Sequence, residues 1–191
     1  LSGTATVSAL GSDAVSVTGA GSGSFADKNV GTGKAVSVIG FSLSGSDANN
    51  YNAVQPTGLS ADITKAPLTV VASDADKLFG NPNPTLTTTL TGFVGSETLE
   101  TSGVTGVGAA TTTATTTTAP GSVAIRASVG TLASGNYAFT QFVDGTLTIK
   151  PISSLGNDQV ASLIGAQLAS LSALQIASFT ESQLQVFSAV Q

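Results

Sequence analysis

The stretch Leu147-Thr148-Ile149-Lys150-Pro151 indicates the fold class of most of this 191-residue chain. Apolar and polar residues alternate in it with a period of two, which is typical of a β-strand with one buried face, and a proline ends the run. The same alternation recurs along residues 1–151, for example at 15–18, 36–38, 68–70 and 123–126. No helical pattern of about 10 to 15 residues separates these runs, so the strands are predicted to pair antiparallel and not in βαβ units.

The end of this stretch also marks an internal repeat. Ile63 recurs as Ile149, and Asn50-Tyr51 recurs as Asn136-Tyr137 at the same offset. We therefore predict one β module that ends at residue 65 and a second that fills residues 66–151, each a sandwich or a β-grasp-like fold. If both modules have similar lengths, the first lacks about 20 residues at its front. The chain also opens without a methionine, so we interpret it as a segment of a longer polypeptide.

Several motifs of these modules resemble known bacterial repeats. Residues 25–34, with Leu43-Ser44-Gly45, Asn50-Tyr51 and Ala61-Asp62-Ile63-Thr64, together resemble the YDG-type repeat of large bacterial surface adhesins, whose naming Tyr-Asp-Gly would fall in the missing front. Residues 66–151 resemble the MBG repeat of YGX type. The matching stretches are 66–70, 77–86, 135–137 and 144–149, and Phe79 stands where that family usually has Tyr. The resemblance implies tandem extracellular β modules of filamentous-haemagglutinin-like exported proteins, and it implies no ligand.

Residues 152–191 follow a different pattern. Gln recurs at every eighth position from 159 to 191. The first and fourth positions after each of the first four are apolar, which indicates helical structure. In one straight helix such an apolar face would rotate by about 80° per repeat. The segment is therefore either a small solenoid of short turns that restart at capping boxes such as Ser172-x-x-Gln175, or one or two ordinary helices with a wrapping stripe. The apolar positions form a candidate association face for the β module, further octads or another chain: Val160, Leu163, Leu168, Leu171, Ile176, Phe179, Leu184 and Phe187.

Composition excludes most kinds of active site. The chain has no Cys and no His, which excludes the usual zinc sites and the Ser-His-Asp and Cys-His nucleophile systems. Its net charge of −5 argues against nucleic-acid binding, and no run approaches the roughly 20 apolar residues of a membrane span. We therefore expect no enzyme, no cofactor and no membrane insertion.

The remaining candidate sites all have a structural alternative. Asp74, Asp76 and Asn81 offer oxygen ligands for Ca²⁺, but their spacing fits no known loop, and a turn is the simpler interpretation. Glu97 and Glu100 are a carboxylate pair of the kind that glycoside hydrolysis uses, yet at this spacing they more simply face solvent. Three further features are a glycine-rich loop at 19–23, a threonine run at 111–118 expected to form a β-strand, and the pair Lys28 and Lys65 as isopeptide candidates.

The two tyrosines of the chain are expected to be structural. Asn50 and Asn136 would form tight turns, while Tyr51 and Tyr137 would place their rings at the core edge and bond back through their hydroxyl groups.

These observations favour a structural stalk segment of an exported bacterial adhesin or extracellular filament, at the cell surface or outside the cell, that supports attachment or biofilm. Its partners would be neighbouring repeats of the same polypeptide. Two alternatives remain open. One is a module that binds a polysaccharide or host glycan, and the other is a filament subunit that associates with copies of itself through the octads or an open sheet edge.

Overall fold

The structure is a computed structural model that describes residues 5–161, 169 and 171–190. The chain divides into two compact units, Leu1–Lys65 and Ala66–Gln191. The predicted fold class, mainly β with a short helical segment at the C-terminal end, is confirmed.

The described residues of the first unit, 5–65, form five strands in two small sheets. Its strands are β1 (Ser16–Thr18), β2 (Ser22–Phe25), β3 (Gly31–Ile39), β4 (Ser42–Ser44) and β5 (Leu59–Ile63). β3 is the central strand of the sheet β2-β3-β5, and β1 pairs with β4, all antiparallel. Val36 and Val38, two positions apart on β3, are the buried apolar side chains among its described residues. The core of this unit is therefore thin.

The part of the second unit that the structure describes contains seven strands in two sheets. They are β6 (Ala66–Ala72), β7 (Ala75–Leu78), β8 (Thr88–Thr91), β9 (Ala109–Thr112), β10 (Gly121–Ser128), β11 (Tyr137–Val143) and β12 (Gly145–Lys150). One sheet has the order β11-β6-β8 and the other β7-β12-β10-β9. Ala72 on β6 shares a hydrophobic cluster with Ile125 on β10 and Leu147 on β12, so the two sheets pack on a common core.

Two strand pairs in this unit are parallel, which differs from the antiparallel pairing predicted from the sequence. β11 pairs with β6 and β12 pairs with β7 in parallel, whereas the remaining pairs are antiparallel. The parallel partners are separated by other strands instead of a helix. The absence of helical patterns between consecutive strands therefore could not predict whether these distant strands pair parallel or antiparallel.

The threonine run at 111–118 also differs from the expected strand. Only Thr111 and Thr112 lie in β9, and the chain then turns, with the Thr118 amide donating to the carbonyl of Thr115 at 3.3 Å. Ala114 is buried between these two parts, so the alternation of exposed and buried side chains continues beyond the end of β9 although the strand pairing stops.

The octad segment begins directly after β12. A 3₁₀ turn at Ile152–Ser154 leads into the helices Asn157–Ala161, Ala173–Ala177 and Glu181–Val190. None of the helices among the described residues has the length and the run of apolar side chains that a membrane span requires.

Candidate functional site: tyrosine anchors and the docked octads

Tyr137 is an anchor in the core of the second unit. Its side chain is 3% exposed, and its ring meets that of Phe93 edge-on, with centroids 5.7 Å apart. The hydroxyl donates to Oε2 of Glu97 at 2.6 Å and accepts from the backbone N–H of Val94 at 3.1 Å. This one side chain therefore joins the start of β11 to a turn that lies far earlier in the chain.

Tyr51 makes the same two bonds in the first unit. Its hydroxyl donates to Oδ2 of Asp13 at 2.8 Å and accepts from the backbone N–H of Leu10 at 2.7 Å. The Leu10 amide acts to lower the pKa of Tyr51, but burial and the carboxylates of Asp13 and Asp47 outweigh it, so the net pKa lies above its ordinary value. The ring is half-buried, in contrast to the buried ring of Tyr137.

The two anchors use one repeated turn that the sequence reasoning missed. Leu10-Gly11-Ser12-Asp13 and Val94-Gly95-Ser96-Glu97 share the pattern apolar-Gly-Ser-acid. In each, the amide of the fourth residue bonds the carbonyl of the first, at 3.1 and 3.3 Å, and the glycine has φ of 58° and 63°. The positive φ favours glycine over any residue with a side chain. The two turns are separated in the sequence by nearly the same number of residues as the two tyrosines. This near-equal spacing was the signal that could have revealed the repeated turn.

The asparagines that precede the tyrosines lie in backbone turns. Asn50 ends the 3₁₀ helix Ala48–Asn50 and is exposed. Asn136 accepts from the amide of Ala66 at 3.0 Å through its own carbonyl, and its amide is held by the hydroxyl of Ser134. These asparagines therefore position the backbone at the entry to each tyrosine.

The three calcium candidates point to separate partners. Oδ1 of Asp74 accepts from the amide of Thr146 at 2.7 Å, and Oδ2 of Asp76 pairs with Nζ of Lys150 at 3.0 Å. Oδ1 of Asn81 accepts from the side chain of Gln175 at 2.7 Å. Within the described part of the chain, no group of three or more Asp or Glu side chains lies close enough to hold a metal ion together.

The side chains of Glu97 and Glu100 also bond to different partners. Glu97 bonds Tyr137, whereas Glu100 accepts from the hydroxyl of Thr98 at 2.6 Å, and this bond lowers the pKa of Glu100. The glycine-rich loop at 19–23 runs between β1 and β2, and its end forms part of β2. The structure thus gives this loop no helix N-terminus of the kind that binds phosphate.

Lys77 is a buried cation that sequence reasoning did not single out. It is 7% exposed, and its ammonium donates to three carbonyl oxygens: Thr115 O at 2.7 Å, Asn83 Oδ1 at 2.8 Å and Asn81 O at 3.2 Å. Nδ2 of Asn83 in turn donates to the carbonyl of Ala114 at 2.7 Å. Burial lowers the pKa of Lys77. The group ties the turn after β7 to the threonine run.

Each described octad glutamine caps the start of a helical turn. Oε1 of Gln159, Gln175 and Gln183 accepts from the backbone N–H three positions earlier, at 2.9 Å in each case. The hydroxyls of Ser172 and Thr180 accept in return from the amides of Gln175 and Gln183 at 3.3 Å. The octads therefore restart at these positions, as the solenoid alternative predicts. The last helix, Glu181–Val190, nevertheless continues past Ser188, where the next restart was predicted.

The octad segment is docked on the second unit. Nε2 of Gln175 donates to Oδ1 of Asn81, and a cluster of Ile152, Val160 and Phe179 contacts Leu78 at the end of β7. Gly80 permits the close approach: it has φ of 88°, and a Cβ there would lie 2.3 Å from Cγ of Gln175.

The predicted association face is divided by this docking. Val160 is fully buried, Phe179 is 9% exposed and Leu171 packs against the same cluster, whereas Ile176 and Leu184 are 51% and 47% exposed. Leu163, Leu168 and the side chain of Phe187 lie outside the described residues. Among the described members, Val160, Leu171 and Phe179 therefore form an inner set that is packed, and Ile176 and Leu184 form an outer pair that is exposed.

Two domain families match the two β units. Residues 1–58 match the model of the YDG domain, and residues 68–148 match the MBG domain of YGX type. No curated protein and no solved structure shows significant similarity to the chain. The matches support the two domain families that the sequence resembles, and they are compatible with an adhesin-like or structural repeat role.

Proposed function

We propose that this chain is a structural stalk segment of an exported bacterial adhesin or extracellular filament, positioned at or outside the cell surface, where it supports attachment or biofilm. The supporting observation is the same tyrosine anchor in two successive β units. In both units the tyrosine hydroxyl bonds an acidic side chain and a backbone amide of the same turn, so the repeated feature holds the unit together.

The anchors explain how each unit holds under load. Tyr51 and Tyr137 each close a long loop through a charged acceptor, and hydrogen bonds to charged groups are stronger than neutral ones. Strand ladders and an apolar core resist unfolding alongside them in the second unit. The Ser- and Thr-rich surface and the net charge of −5 oppose non-specific sticking between neighbouring molecules.

An open groove favours glycan binding as a second candidate function. Its volume is about 410 Å³, and it is lined by Val17, Phe41, Tyr51 and Val54, among others. Volumes of this size are typical of small-ligand sites. Val54 is 84% exposed, so Val54→Asp would alter the groove with little effect on folding. Saturable binding on a glycan array that Val54→Asp abolishes would favour this function.

Two measurements test the stalk proposal. Antibodies raised against the chain should label intact cells of the organism that produces it, and labelling only after permeabilisation would contradict the surface location. Single-molecule stretching of the chain between two handles should give two unfolding events, the weaker one from the first unit because its core is thin. Extension without a resolved unfolding force would contradict a load-bearing role.

A further inference from the structure

The octad pattern begins one repeat earlier than its first glutamine. Ile152 and Leu155 stand at the two apolar positions of an octad in which Pro151 replaces Gln. Three octads later, the equivalent positions are Ile176 and Phe179. Val160 and Leu184 are related by the same spacing.

The first coil of octads is covered by residues that lie between three and four octads further on. Nε2 of Gln183 donates to the carbonyls of Leu155 at 2.7 Å and Ile152 at 3.2 Å. Nδ2 of Asn157 donates to the hydroxyl of Ser182 at 2.9 Å, and the helix Asn157–Ala161 packs against the helix Glu181–Val190. Beneath this layer Val160 is fully buried. The described parts of the segment thus stack on each other, and their equivalent positions, such as Val160 and Leu184, are three octads apart.

The next layer has the same chemistry but is not covered. The carbonyl of Ile176 accepts from the amide of Phe179, just as the carbonyl of Ile152 accepts from the amide of Leu155. Ile176 and Leu184 are nevertheless half exposed, in contrast to the buried Ile152 and Val160. Open ends of solenoid proteins need a polar cap to stay soluble, and this end shows apolar side chains instead.

We propose that the outer pair, Ile176 and Leu184, is the seat of the next coil of an octad solenoid. Its occupant is a segment of three octads with the same Ser/Thr-x-x-Gln-φ-x-x-φ pattern, where φ is apolar, joined in series to the helix Glu181–Val190. The glutamine of the incoming octad donates to the carbonyls of Ile176 and Phe179, as Gln183 does one coil earlier. This inference goes beyond the stalk role and does not depend on export or surface location.

Thiol labelling tests the proposal, because the chain has no cysteine of its own. Ile176→Cys and Leu184→Cys are made in the full chain, with and without a C-terminal extension that copies residues 168–191. The extension should slow labelling at both positions by about tenfold or more, since the thiols then react only after local opening. Val54→Cys, in the other unit, should label at the same rate with and without it.

Two further extensions distinguish a specific seat from non-specific shielding. An extension with the copied residues in shuffled order should leave labelling fast, and one with its glutamines changed to alanine should protect less than the copy. Equal protection by the copied and shuffled extensions would overturn the proposal. So would protection in the unextended chain that rises with protein concentration, because that would assign the outer pair to a second copy.

Discussion

Removal of the Tyr137 hydroxyl is expected to destabilise the second unit by about 2 kcal/mol. This value is the sum of one hydrogen bond to a charged group and one to a neutral group, each taken near the low end of its usual energy range. Tyr137→Phe keeps the buried ring and its edge contact with Phe93 but deletes the bonds to Glu97 and to the Val94 amide. A neutral hydrogen bond contributes about 0.5 to 1.5 kcal/mol and one to a charged group about 1.5 to 3 kcal/mol. Val94 is exposed and Glu97 only half-buried, so water can partly replace the hydroxyl, which explains the low values.

The assay is thermal unfolding of the full chain followed by scanning calorimetry. For a unit of this size, a loss of about 2 kcal/mol corresponds to a fall in the melting temperature of about 6 to 10 °C. A double-mutant cycle with Glu97→Ala should give a coupling energy of about 1 to 2 kcal/mol, because the two residues share one bond. Tyr51→Phe is the matched variant and should affect only the transition of the first unit.

Two results would refute the anchor interpretation. One is a Tyr137→Phe variant within about 0.5 kcal/mol of the unchanged chain, the range of ordinary surface substitutions. The other is strict additivity of Tyr137→Phe and Glu97→Ala, which would mean that the contact contributes no coupling.

Three other perturbations follow from the structure. The pKa of Tyr51 is higher in the folded first unit than in the unfolded chain, so the stability of this unit should fall as pH rises through about 10 and beyond. Denaturation measured at about pH 8 to 11 should show this fall, and Tyr51→Phe should make it smaller. Lys77→Met should cost about 2 to 4 kcal/mol in urea denaturation, because three carbonyl oxygens lose their donor. An exposed control in the threonine run, Thr116→Ala, should stay within about 0.5 kcal/mol. Gly80→Ala should release the helix Ala173–Ala177 to faster hydrogen exchange, whereas Gly103→Ala, with φ of 70° and no atom within 4 Å of the added Cβ, should not.

The strand content was predictable because period-two alternation is a local property of the chain. Leu147 and Ile149 are buried on β12 as their alternation with threonine and lysine indicates. The parallel pairing of β12 with β7 was not predictable, since the partners lie far apart in the chain and pairing over such distances depends on the core that both share.

The tyrosine anchors were only half visible in the sequence. Tyr51 and Tyr137 recur with their asparagines, but their acceptors are Asp13 in one unit and Glu97 in the other. The change from Asp to Glu, together with slightly different offsets for the turns and for the tyrosines, hides the correspondence from a search for identical residues. The bonds require an acid and a backbone amide at the right distance, and either carboxylate supplies the acid.

The docking of the octads explains why their repeated residue is Gln. In Gln175 and Gln183 the amide oxygen accepts from the helix start. The amide nitrogen donates elsewhere, to Oδ1 of Asn81 in the β module for Gln175 and to the carbonyl of Leu155 in the first octad for Gln183. Glu could provide the first bond but not the second, and it would place a charge where these side chains are only 4% and 2% exposed. Helix capping alone would accept either residue, so the use of Gln at these two positions indicates that packing onto the β module and onto the first octad, as well as helix formation, determines the repeat.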